Sequence, residues 1–151
     1  MSESMDHITD EMADNALKLD NQLCFPLYAA ARQITGAYTP YLKPLGLTYT
    51  QYIVFLVLWE QDDITVSDIG KRLHLDTGTL TPLLKKMEGL GYISRRRSQH
   101  DERAVLISLT DKGKQLKTRV KEIPFKVGSC VHLSASDAKA LHTLLYKLLS
   151  C

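Results

Sequence analysis

The feature that most constrains the fold is a change of period at Gly91. From Val66 to Leu90 apolar residues recur every three or four positions, and from Tyr92 to Leu109 they alternate. The first spacing keeps side chains on one face of a helix, and the second keeps them on one face of a strand. Val66, Ile69 and Leu73 predict a short helix opened by Thr65, with Asp68 three residues on in a capping-box arrangement. His74-Leu75 makes a turn, and Asp76 can cap a second helix running to about Leu90. Leu80, Leu83, Leu84, Met87 and Leu90 line one side of it, while Thr77, Thr79, Thr81, Lys85 and Lys86 lie mostly on the other. Gly89 and Gly91 close it, and Gly70 in the preceding helix allows close approach. Pro82 either restarts the second helix, with Thr81 as cap, or kinks a helix begun at Asp76. Tyr92 to Arg97 and Ala104 to Leu109 then read as two strands around a polar tip at 98–103.

Two short helices on a tight turn, followed by a β-hairpin, make a winged helix-turn-helix. The expected fold is therefore mainly α with a small β-wing. A major groove admits one helix with a short polar face, held out by apolar residues behind it. Thr77, Thr79, Thr81, Pro82, Lys85 and Lys86 suit that face, and Arg95, Arg96, Arg97 and Arg103 suit the wing, where an arginine can enter the minor groove. The bland reading of the same pattern is a helical domain with a solvated basic hairpin.

Charge supports a polyanion partner. The net +2 hides three basic and nine acidic side chains in residues 1–64, against twelve basic and six acidic in 65–119. Lysine and arginine gain by displacing counterions condensed on phosphates, so the basic middle segment favours double-stranded DNA.

The arms are helical. Leu23, Leu27, Ala30, Ala31 and Ile34 predict a helix over about 20–39, capped by Asp20 or Asn21. The stretch 39–46, with two prolines and a glycine, is expected to be irregular or a short turn, and a buried helix is expected over about 48–59. Thr110 caps a further helix, which Pro124 and Gly128 interrupt, and Ser134 or Ser136 caps a final amphipathic one. The longest apolar run, Tyr52 to Trp59, is eight residues, far short of the ~20 that span a bilayer. The acidic N-terminus shows no secretory pattern, and three cysteines are too few for a disulfide scaffold, so a cytoplasmic protein with no membrane partner is expected. No P-loop, dinucleotide fingerprint or hydrolytic triad is visible, so neither a cofactor nor an enzyme is expected. A metal site from Cys130, His132 and Cys151 lacks ligand spacing of any strength.

Cys24 falls in the first turn of the first helix, where a helix N-terminus favours an anion. A thiolate there could attack a peroxide O–O bond and become sulfenic acid. Read from the residues alone, an inert buried cysteine is the commoner case, since cysteine is among the most buried residue types.

Asp101-x-Arg103, followed by Leu109-Thr110 and Lys112-Gly113, resembles the wing signature of MarR-type transcriptional regulators. The segment LDTGTLTPLLKKMEGLGYISRRRS is similar to their organic hydroperoxide resistance branch, and LDNQLCFPLY to the sensing segment of that branch. The resemblance covers the chain from about residue 17 onward. It implies a homodimeric repressor, with dimerisation helices at about 17–45 and 111–151 around a DNA-binding lobe at 48–110, released from a pseudo-palindromic operator by organic hydroperoxides. It implies that wing residues Asp101 and Arg103 pair, that Cys24 is the redox sensor, and that Tyr28, Tyr38 and Tyr49 line the thiolate and peroxide pocket, the last two from the partner subunit. Cys130 matches the resolving cysteine of two-cysteine members, which would form an intersubunit disulfide with Cys24, while Cys151 reads as incidental. Two other readings stay open: a MarR-type regulator that answers a phenolic ligand, with Cys24 structural, and a thiol peroxidase.

Overall fold

A computed structural model of the chain describes residues 8–150, so Cys151 lies outside the described residues. The chain divides into two compact units between Ala37 and Tyr38.

The first unit holds a helix absent from the sequence reading, α1 (Asp10–Ala16), whose cap Thr9 accepts from the Met12 N–H. After a 3-10 turn at Leu19–Asn21 comes α2 (Cys24–Gly36). The expected start and cap at Asp20 or Asn21 are therefore corrected: α2 begins four residues after Asp20, at Cys24, and Leu23 supplies no side-chain cap. Pro26 explains the shift, because it has no N–H and its ring clashes with the preceding turn. It costs least in a first turn, and it occupies the third position of α2. The Asn21 amide donates instead to the Asn15 carbonyl at 2.7 Å.

The second unit opens with α3 (Thr39–Leu42) and a 3-10 turn at Lys43–Leu45, ended by Gly46 in the left-handed region. The stretch expected to be irregular is thus two short helical pieces, each with proline in its first two positions, where proline is pre-organised. Helix α4 (Tyr49–Glu60) is capped by Thr48, whose hydroxyl accepts from the Gln51 N–H while the Gln51 side chain accepts from the Thr48 N–H. It is the central helix, with Val54 and Phe55 fully buried.

Next come β1 (Ile64–Thr65), α5 (Val66–Leu73), α6 (Thr77–Gly89), β2 (Ile93–Arg97) and β3 (Val105–Leu109). The three strands form an antiparallel sheet in the order β1-β3-β2, with Ile64 opposite Ile107 and Arg95 opposite Ile107 on the other edge. The extra strand β1 is two residues long, too short to show alternation. Thr65 caps α5 and Asp76 caps α6, which runs through Pro82 without restarting at Thr81. Ile69, Leu80, Leu84, Met87, Ile93 and Ile107 are each 2% exposed or less. Burying a side chain of this size contributes about 1.5–3 kcal/mol, so this cluster holds the helix pair on the sheet.

Thr110 caps α7 (Asp111–Val120), then come α8 (Ile123–Gly128) and α9 (Ala135–Leu149), the last capped by Ser134 rather than Ser136. Among the described residues no helix is long and apolar enough to cross a membrane.

Candidate nucleic-acid interface and thiol site

The elbow between α5 and α6 is set by His74, in the left-handed region at φ 52°, and by Gly70. A Cβ on Gly70 would lie 2.6 Å from the Leu75 carbonyl oxygen, so only glycine permits this approach. Behind α6, Leu80, Leu84 and Met87 are buried, and Thr77, Thr79, Thr81, Pro82, Lys85 and Lys86 are exposed on the other side. Asp76 accepts from the Thr79 N–H at 2.7 Å and from its hydroxyl at 3.0 Å, which holds its carboxyl below the usual carboxylate range. The Thr81 hydroxyl donates to the Thr77 carbonyl at 2.7 Å. Lys85 and Lys86 form no ion pair among the described residues.

The wing arginines divide. Pairing alternates, so Arg95 and Arg97 share the face of Ile93, and Arg96 shares the opposite face with Ser108. Arg95 Nε donates to Glu88 at 2.8 Å, and this hydrogen bond, with the adjacent positive charge, lowers the Glu88 carboxyl. Arg96 Nη2 reaches both oxygens of Asp63 at 2.6 Å. Arg97 and Arg103 are exposed, and neither guanidinium has an ion-pair partner among the described residues. At the tip, Asp101 accepts from the backbone N–H of Arg103 at 2.9 Å, while the Ala104 N–H donates to the Asp101 carbonyl, also at 2.9 Å. The carboxylate of Asp101 therefore organises the Arg103 backbone, not its guanidinium.

In the first unit, Cys24 is the first residue of α2 and its thiol is free and exposed. Tyr28, one turn on, is 60% exposed and has the Arg32 guanidinium 5.4 Å from its ring centre. In the second unit Tyr38 and Tyr49 meet edge-on at 5.0 Å, so the structure brings these two predicted residues together. A third ring completes the group: Tyr52 lies 5.3 Å from Tyr38 and 6.1 Å from Tyr49, and is 3% exposed. Burial raises all three phenols, and Tyr52 is pushed up to about 12 by burial and by its two neighbours. Tyr52 stands one helical turn after Tyr49, a spacing that the sequence does display. Cys130, also in the second unit, is free and exposed just past α8, its thiol donating to the Lys126 carbonyl at 3.7 Å. Among the described residues no group of three or more His, Cys, Asp or Glu side chains could hold a metal ion.

A helix pair on a glycine elbow, an exposed polar face on the second helix and a hairpin beside it define a winged helix-turn-helix protein. Residues 37–120 match the family model for the transcriptional regulator SarA/Rot. The organic hydroperoxide resistance transcriptional regulator of Bacillus subtilis is 50% identical over 133 residues, 88% of this chain and 90% of that protein. The structure of reduced AbfR bound to DNA is 38% identical, covers 93% of this chain and 97% of that one, and has a TM-score of 0.76. Disulfide-formed AbfR is 36% identical, covers 94% of both chains and has a TM-score of 0.59. The chain belongs to the SarA/Rot-like, MarR-type transcriptional regulators, in the redox-sensing group that includes the organic hydroperoxide resistance regulators. Its relatives regulate transcription and are not enzymes.

Proposed function

We propose that the chain is a homodimeric, cytoplasmic repressor that binds a pseudo-palindromic operator when reduced and leaves it when an organic hydroperoxide oxidises Cys24. The observation that carries the reading is an exposed, free thiol at the first position of α2, in a chain half identical to an organic hydroperoxide resistance regulator. The Cys24 thiolate attacks one peroxide oxygen, the O–O bond breaks, and the alkoxide leaves and takes a proton as the alcohol. Sulfur is oxidised to sulfenic acid and the peroxide is reduced. The Cys130 thiol of the other subunit then displaces water from that sulfenic acid and forms the disulfide. Tyr28, with Tyr38 and Tyr49 of the partner subunit, lines the pocket, since a phenol O–H can donate to a thiolate. Support for the disulfide step comes from AbfR, known both reduced on DNA and disulfide-formed, with this chain matching the first more closely.

Dimerisation is supported by the apolar faces of the arms. Neither α2 nor α9 has a buried residue, and Leu144, Tyr146, Leu148 and Leu149 are each at least half exposed. Large apolar side chains left exposed on a helix with no buried residue favour association there. On DNA, each α6 enters the major groove through Thr77, Thr79, Thr81, Pro82, Lys85 and Lys86, the two helices about one duplex turn apart. Arg97 and Arg103 follow the minor groove or backbone from the wing.

Fluorescence anisotropy on a duplex selected from a random pool by the reduced protein tests the reading. Cumene hydroperoxide should release the wild type and leave Cys24→Ser bound. Release of both by the peroxide would remove Cys24 from the mechanism.

A further inference from the structure

We propose that Asp63 is a positioning residue for DNA binding: with Ser108 it holds Arg96 as a brace that fixes the wing, so that Arg96 serves the hairpin and not the duplex. The inference rests on the DNA-binding reading above.

The brace begins with an unusual backbone. Asp63 sits in the left-handed region at φ 57°, immediately before β1, a conformation aspartate tolerates better than most residues. It turns the carboxylate onto the sheet face that carries Arg96 and Ser108. The Ser108 hydroxyl donates to Asp63 Oδ1 at 2.7 Å, and Arg96 Nη2 donates to both oxygens at 2.6 Å. Asp62 adds a backbone clasp, accepting from the Leu109 N–H at 2.8 Å and from the Asp63 N–H at 2.9 Å. Because the sheet order is β1-β3-β2, the Arg96 side chain reaches across β3 to the far edge. One carboxylate, beside Ser108 near the base of the hairpin, thereby ties all three strands together, with Arg96 reaching it from one pair short of the tip.

An exposed ion pair adds little to stability, so global folding is not what this network serves. Its consequence is geometric. Arg97 and Arg103 bracket the tip, and β2 and β3 must keep their relative angle for both to meet one groove. The two roles for Arg96 predict opposite signs. If Arg96 contacted phosphate, Asp63 would compete for it, and neutralising Asp63 would tighten binding. Simple charge gives the same sign, since removing a carboxylate near DNA strengthens association. A brace alone predicts that neutralising Asp63 weakens it.

The test compares wild type, Asp63→Asn, Arg96→Gln, the double variant and the charge-neutral Ser108→Ala on the selected duplex, with melting temperature as control. Asparagine also tolerates the left-handed backbone. Asp63→Asn and Arg96→Gln should each bind roughly three- to ten-fold more weakly, which is about 0.7–1.4 kcal/mol. Ser108→Ala should fall in the same direction, and the double variant should lose no more than the worse single one. In DNA-free protein, hydrogen exchange at the Ser98 and Ala104 amides should accelerate severalfold in Asp63→Asn, with no change in α9. Equal or tighter binding by Asp63→Asn, additive losses, or unchanged wing exchange would overturn the brace. If the wild type selects no duplex at all, the DNA-binding reading falls, and the exchange measurement still decides the brace.

Discussion

The Trp59 indole N–H, one residue from the end of α4, donates to the Gly113 carbonyl in the first turn of α7 at 3.0 Å. This bond locks the central helix to the helix that leaves the sheet. The ring also stacks on Phe55 at 5.3 Å, so one side chain joins the core to the α7 junction.

Two substitutions separate the parts of this junction. Trp59→Phe keeps the stacked ring and removes the donor, and should lower stability by about 0.5–1.5 kcal/mol in a denaturant titration. Gly113→Ala should cost more, about 1–3 kcal/mol, because its Cβ would lie 2.2 Å from the Tyr92 carbonyl oxygen. That atom is backbone and cannot swing aside.

The elbow gives a pair of opposite signs. Gly70→Ala drives a Cβ to 2.6 Å from the Leu75 carbonyl oxygen, and should both lower the melting temperature and weaken DNA binding. His74→Gly removes the cost of a left-handed non-glycine residue, so it should be neutral or stabilise by up to about 1 kcal/mol. A destabilised His74→Gly would mean that the imidazole has a role beyond the turn.

The tyrosine cluster makes stability depend on alkaline pH. The phenol of Tyr52 is raised to about 12 from an ordinary value of 10.0, with Tyr38 and Tyr49 also raised. The folded chain therefore keeps protons that the unfolded chain releases. Stability should be intact below pH 10 and decline from there to about 12, and Tyr52→Phe should flatten that decline. Urea midpoints measured across this range, with phenolate absorbance alongside, check it.

The second cysteine is tested by a gel and a binding curve. Cys130→Ser should bind DNA normally when reduced and form no linked dimer on non-reducing electrophoresis after cumene hydroperoxide. If Cys130→Ser still forms the linked dimer, Cys130 is not the resolving thiol, and the same gel on Cys151→Ser decides whether the last cysteine is.

Acid acts on the carboxylates. Asp68, Asp76 and Glu88 are all held below their ordinary values by hydrogen bonds to neighbouring side chains or backbone. The folded state holds fewer protons there, so stability is present above pH 4.5 and is lost as pH falls through the ordinary range, from 4.5 for Glu88 and 3.8 for the aspartates. Melting temperatures between pH 5 and 3 should fall less steeply in Glu88→Gln than in the wild type.

The amino-acid sequence by itself determined the helix pair, the hairpin and their caps. Periodicity and capping act over three or four residues, so Thr65, Asp76, Thr110 and the leucines of α6 announce themselves. It also singled out Cys24 by its place in a first helical turn, and Tyr38 and Tyr49 through resemblance and not through spacing. Tertiary structure alone decided which basic side chains are free. Nothing local tells Arg96 from Arg97, and the difference lies in Asp63, 33 residues away. The pairing register decides it, because alternate residues on β2 face opposite sides of the sheet. The same holds for Tyr52, whose place beside Tyr38 depends on how α3 packs against α4, and for Gly113, whose missing side chain matters only because the Tyr92 carbonyl lies against it. Contacts between distant segments are set by how elements pack, and a one-dimensional pattern carries no record of that.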